Sequence, residues 1–139
     1  MKTLSLNIEL LPIHKNLQEI AQEQFRKYSL EVNGWKLEWE KSKKYLGRCY
    51  FHQKVITLSV YWVLYLPEAE TKDTILHEVA HALTWQRYEM DKWEVPANFW
   101  KKMSKDYLGH GFIWQTFCKQ VGAKPISCYN GEVKLPQVK

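Results

Sequence analysis

Apolar and polar positions change period several times along the chain. Residues 35–40, Trp-Lys-Leu-Glu-Trp-Glu, alternate apolar with polar, the period of a half-buried strand. Upstream, Leu17, Ile20, Ala21, Phe25 and Tyr28 recur at helical spacing behind Asn16, a residue suited to capping, with Glu19 in the capping-box position and Gly34 past the end. This predicts a first helix packed on a sheet. Lys41-Ser42-Lys43-Lys44 reads as a turn, and residues 48–53 and 54–59 as two further strands joined tightly near His52–Lys54. Trp62 to Leu66 is an apolar run that predicts a short helix or packed loop before Pro67. A central helix then opens at Thr71 or Asp73 and runs to about Tyr88. Residues 89–109 read as an irregular excursion with a helix over Ala97 to Asp106, and a last helix runs from Gly111 to Val121 with Gly122 as its stop. The tail from Ala123 reads as surface strand or loop. Helices and strands segregated in this way predict an α+β fold with a few-stranded antiparallel or mixed sheet packed on the central helix.

That helix is apolar on nearly every side: Ile75, Leu76, Val79, Ala80, Ala82, Leu83 and Trp85 surround its polar residues. A helix apolar all round is buried. Yet residues 77–81 read His77-Glu78-Val79-Ala80-His81. Burying a glutamate and two histidines costs free energy unless something pairs with them. A metal ion resolves that cost. Two histidines four apart share one helix face and can reach one ion, and Glu78 can act on a metal-bound water as general base. H-E-x-x-H is the signature of zinc metallopeptidase helices.

A catalytic zinc takes three protein ligands and keeps one open position. His110, 29 residues after His81 and followed by Gly111 at a loop-to-helix junction, is the expected third ligand. Glu89, Glu94 and Asp106 are the carboxylate rivals and rank below it, since none sits in a comparable apolar helical setting. His14 and His52 are lone histidines, for which a surface or strand role outranks metal binding. Tyr107 is a weak candidate for an oxyanion donor, with a wall or loop role ranking above it.

With 139 residues, the chain suits one domain with a single core. Its 45% hydrophobic and 25% charged content argues against disorder. Seven tryptophans imply a core built on large rings, or exposed rings that stack on bases or grip peptides. The net charge of +5, with Lys41, Lys43, Lys44, Lys101, Lys102 and Lys105 in clusters, allows a phosphate-binding face beside the simpler solvated one. The three cysteines include no C-x-x-C pair, which excludes a cysteine-based zinc ribbon and a disulfide framework and fits a reducing compartment. The N-terminus is broken by polar residues and does not read as a signal peptide, and the run from Val55 to Leu66 is too short to cross a bilayer. A soluble, cytoplasmic, monomeric protein is expected.

These residues resemble the SprT-like family of zinc metalloproteases, which includes the Spartan proteases. Its pattern is H-E-x-x-H followed by a third histidine in H-G-x-x-(W/F), with a glycine eight residues after the aromatic. Here it reads His77, Glu78, His81, then His110-Gly111 and Trp114, with Gly122 in place. Leu46-Gly47-Arg48-Cys49 followed by Ile56-Thr57-Leu58-Ser59 is similar to the family's hairpin ahead of the active-site helix. The resemblance spans roughly residues 10–125. It implies a small zincin-like α+β domain, Zn2+ held by His77, His81 and His110, and Glu78 as catalytic acid/base. It further implies proteolysis of DNA-bound or crosslinked proteins, with single-stranded or damaged DNA as a partner. The bacterial type usually carries a C-terminal zinc ribbon, and this chain has only Cys118 and Cys128, ten apart. It also lacks room for Spartan's partner-binding tails, and a compact bacterial or phage-encoded version is expected.

Three functions follow as alternatives. The first is a zinc endopeptidase whose strand near Ile56–Ser59 pairs with an extended substrate. The second is a nucleic-acid-binding module with a structural zinc. The third is a zinc peptidase that cleaves one dedicated regulatory protein.

Overall fold

The computed structural model describes residues 10–91 and 111–124. Among these, helix α1 (Pro12–Lys27) precedes strands β1 (Lys36–Glu40), β2 (Gly47–Tyr50) and β3 (Val55–Ser59). A 3-10 turn (Trp62–Leu64) leads into α2 (Glu68–Asp91), and α3 (Phe112–Val121) packs on α2. The architecture is α+β, as expected. The expected helix over 97–106 and the tail beyond Lys124 lie outside the described residues.

The first helix starts earlier than its sequence suggests. Pro12 occupies the first turn, where its fixed φ is pre-organised and its missing N–H costs nothing. The cap is made by His14, whose Nδ1 accepts the Leu11 N–H at 2.9 Å. Asn16 is therefore inside the helix, and its amide donates to Glu68 Oε1 at 2.6 Å instead. The central helix likewise gains a turn at its start, where Glu68 and Glu70 suit the positive end of the helix dipole.

The sheet order is β1-β3-β2, with β1 parallel and β2 antiparallel to β3. β3 is paired on both sides, and all five of its residues are buried. It cannot accept a substrate strand, which corrects the expectation for Ile56–Ser59. Among the described residues β2 pairs on one side only, with β3. The tight β2–β3 connection is present, with Lys54 at φ 56.

Register divides the sheet into two faces. Leu37, Trp39, Gly47, Cys49, Ile56 and Leu58 lie on one, while Glu40, Arg48, Tyr50 and Thr57 lie on the other. The first face packs on the helices, joining Leu17 and Phe25 of α1, Ile75 and Val79 of α2 and Trp114 of α3 in one core. Gly47 permits the closest approach of sheet to α2. A Cβ there would lie 3.0 Å from Thr74 Cγ2, 3.2 Å from the Thr57 carbonyl and 3.5 Å from Glu78 Cγ. On the other face Glu40 accepts from the Tyr50 hydroxyl at 2.9 Å and the Thr57 hydroxyl at 3.1 Å.

Candidate metal centre

His77, Glu78 and His81 lie on α2 where the helix is clamped between β2 and α3. The apolar ring around them is buried in part: Ile75, Val79, Ala80 and Ala82 are fully buried, while Leu76, Leu83 and Trp85 are only partly so, and the helix is not covered all round. His77 and Glu78 are buried with them, while His81 is half-buried.

The two ring nitrogens of His77 differ. Nε2 donates to the Lys124 carbonyl at 2.6 Å. Asp73, one turn earlier, stands 3.6 Å from the same nitrogen, too far for a hydrogen bond, and its other oxygen accepts the Lys124 N–H at 3.1 Å. Asp73 and Lys124 thus fix the ring and its tautomer together. Nδ1 is buried with no hydrogen-bond partner. Buried polar atoms are nearly always satisfied; among the described residues Trp35 Nε1, Thr71 Oγ1 and Gln86 Nε2 are the other side-chain exceptions, and of the four only His77 Nδ1 belongs to a metal-ligating residue type. A histidine that donates through one nitrogen to a carbonyl and keeps the other as an unpartnered acceptor has the arrangement of a metal ligand with its outer support.

Trp114 joins α3 to both histidines. Its ring stacks on His81 at 5.1 Å between centroids and 23°, and tilts against His77 at 5.5 Å. Its indole N–H donates to the His77 main-chain carbonyl at 3.3 Å. His81 also meets the Phe51 ring edge-on at 6.4 Å. Both imidazoles are therefore held by packing before any ion binds.

Glu78 sits against β2. Burial pushes its carboxyl pKa up to about 8, and the Arg48 guanidinium pulls in the opposite direction. Burial also raises the Cys49 thiol well above its ordinary range, and the Glu78 charge adds to that. Burial thus favours the neutral carboxyl of Glu78, and a nearby positive charge favours its carboxylate.

Donor chemistry fits zinc: neutral imidazole nitrogens suit it, and a half-open side at His81 leaves access. Among the described residues no group of three or more His, Cys, Asp or Glu converges on one point. His110, the expected third ligand, lies outside them, as do Glu94, Asp106 and Tyr107. Gly111, which follows His110, is the N-cap of α3, and Trp114 lies in that helix's first turn. Glu89 is described and does not serve: it is eight residues past His81, about 12 Å along the helix axis.

The remaining histidines have other tasks. His14 is buried in the first turn of α1, neither on the surface nor in a strand, because its ring caps the helix and bonds the Val60 carbonyl at 2.9 Å. His52 stands at the hairpin tip, edge-on to Trp85 at 5.3 Å. Sequence reasoning missed the supports Asp73, Lys124 and Arg48. Asp73 alone has a signal in the sequence, its i−4 spacing from His77, although its place near the helix start points equally to a cap.

Among the described residues no helix is long and apolar enough to cross a membrane. No curated protein and no solved structure matches the chain. The family model described as "SprT-like family" matches residues 13–134, most of the chain and all of the candidate centre. With H-E-x-x-H on a buried helix, a ring-fixed His77 and that match over nearly the whole length, the chain belongs to the SprT-like family.

Proposed function

We propose that this protein is a zinc-dependent endopeptidase, with His77, His81 and His110 as metal ligands and Glu78 as the catalytic acid/base. Membership of the SprT-like family supports a metallopeptidase-like role. The observation that carries the reading is on one turn of α2: a buried His77 whose Nε2 is held by the Lys124 carbonyl while its Nδ1 has no partner, followed by the buried Glu78.

The chemistry a bound zinc supplies there is Lewis-acid polarisation of the scissile carbonyl and acidification of a water. Glu78 would be the group that takes up a proton on its carboxylate and passes it to the leaving amine. A cation beside Glu78 favours its carboxylate, the form that can accept, and Arg48 biases it the same way. Asp73 and the Lys124 carbonyl hold the His77 tautomer, and Trp114 holds both ring planes. β2 runs alongside this turn, and its outer edge, without a partner strand among the described residues, would offer its backbone groups to an extended peptide.

We further propose that the substrates are proteins held on or crosslinked to DNA. The +5 net charge and the lysines at 41, 43 and 44 support this. The test is digestion of a DNA-binding protein by zinc-loaded enzyme with and without single-stranded DNA, next to Glu78→Gln. Cleavage stimulated by DNA and lost in the variant is expected. Salt-sensitive DNA binding without cleavage would favour a nucleic-acid-binding module with a structural zinc. Metal content in wild type and His110→Ala tests the third ligand: about one zinc per chain is expected in the first and marked loss in the second.

A further inference from the structure

A cavity of about 460 Å3 opens beside the candidate centre, at the end of the β2–β3 hairpin and the C-terminal half of α2. Phe51, Trp85 and Met90 give it apolar walls, and His52, Lys54 and Glu89 add polar ones. Phe51 and Trp85 stack at 5.2 Å and 28°, and Trp85 stacks in turn on Tyr88 at 5.0 Å. Phe51 is also the ring that meets His81. One continuous aromatic wall therefore runs from a candidate metal ligand into the cavity.

Resting on the endopeptidase reading, we propose that this cavity is a substrate subsite that takes one large apolar or aromatic side chain of the peptide, close to the cleaved bond. Three observations point there. First, the edge of β2 that has no partner strand among the described residues leads to the cavity: its last residue, Tyr50, is followed directly by Phe51. A peptide laid along that edge is carried over the opening. Second, the spacing matches an extended chain. Trp85 follows His81 by four residues, about 6 Å along the helix, and two residues of strand advance about 6.6 Å. The side chain that enters belongs to a residue one or two positions from the scissile bond. Third, the charges suit a neutral occupant. Lys54, whose Nζ donates to the Asn33 carbonyl at 3.0 Å, and Glu89 bring opposite signs to the same cavity. A polyanion would meet Glu89 as well as Lys54, so a stacked nucleobase with its phosphates fits less well than a peptide side chain.

The test is cleavage-site profiling of zinc-loaded full-length protein on a mixed peptide library, for wild type, Trp85→Ala and Met90→Glu. Wild type is expected to favour Phe, Tyr, Trp, Leu or Met at one position within two residues of the cut, by about ten- to hundredfold. Trp85→Ala should bring that preference below about threefold. Met90→Glu, at a position 67% exposed and so tolerant of charge, should move it towards Lys and Arg. If Trp85→Ala does not fold, Met90→Glu decides alone. Cleavage without preference at any position, or a preference unchanged in the folded variants, overturns the subsite and leaves the endopeptidase reading standing. Loss of oligo-dT binding in both variants with an unchanged cleavage profile overturns it in favour of a nucleobase site. No cleavage by wild type under any metal overturns both.

Discussion

His14 and His77 are equally buried, each 1% exposed, but they close their hydrogen bonds differently. His14 spends both ring nitrogens, one on the Leu11 N–H and one on the Val60 carbonyl, and so pins the start of α1 to the segment after β3. His77 spends one on the Lys124 carbonyl and leaves the other dry and unpartnered. Burial alone does not separate a structural histidine from a chemical one. Hydrogen bonding distinguishes these two, although His77 Nδ1 shares its unpartnered state with Trp35 Nε1, Thr71 Oγ1 and Gln86 Nε2 among the described residues. Glu78 continues the contrast: Glu40 accepts two hydroxyl hydrogen bonds on the far face of the sheet, whereas burial dominates Glu78 and raises its pKa.

Experiments can break that contrast at several strengths. The largest expected effect is on catalysis. Glu78→Gln should lower kcat/KM by about 10²–10⁴, or roughly 3–5 kcal/mol of barrier, with zinc content unchanged by elemental analysis. Full activity in that variant would remove Glu78 from the mechanism.

Next are the two histidines, compared in metal-free protein by chemical denaturation. His14→Ala strands the Val60 carbonyl and opens space beside Trp39, and should cost about 2–4 kcal/mol. His77→Ala strands the Lys124 carbonyl and opens space beside Trp114, but it also removes an orphaned atom, and should cost less, about 1–3 kcal/mol. Added zinc should raise the Tm of wild type and not of His77→Ala. Equal costs for the two variants without metal would contradict the distinction drawn between them.

Gly47→Ala tests the clamp on the other side of α2. Its Cβ meets Thr74 Cγ2 and the Thr57 carbonyl, so β2 must move off the helix, at about 1–3 kcal/mol of stability. Activity should fall further than stability explains, because Glu78 loses its dry contact. The smallest effect is alkaline. The Cys49 thiol is pushed up by burial and the Tyr50 hydroxyl chiefly by burial, so both stay protonated longer in the folded protein. Their stabilising effect is present below the unfolded values and is lost as pH rises above about 9–10. Urea midpoints at pH 8 and 10.5 should show that loss, and Cys49→Ala should reduce it. Within the folded protein at pH 8, Cys49 and Cys118 should react with a thiol reagent only on unfolding.

Local patterns were read well from the chain. The strand at 36–40, the β2–β3 hairpin, the buried helix around His77 and the left-handed stop at Gly122 (φ 87) all follow from period and turn chemistry. The start of α1 was missed because proline pre-organisation and a histidine acceptor outcompeted the capping residue Asn16. The place of β3 was missed because strand order is a matter of pairing, and an apolar run such as Val-Ile-Thr-Leu-Ser is equally compatible with centre and edge.

What the sequence determined by itself is chemistry at fixed spacing: two histidines and a glutamate on one apolar helix, a distant His-Gly-x-x-Trp, and too few cysteines for a ribbon. Helical period makes such spacing equivalent to a shared face, so no fold is needed to read it. The tertiary structure alone decided which histidine nitrogen is left without a partner, that the Arg48 charge acts on Glu78 from the far face of β2, that β3 is the central strand, and that Phe51 joins His81 to the cavity at Trp85. Each depends on residues brought together from distant parts of the chain, where packing and desolvation act and sequence spacing carries no signal.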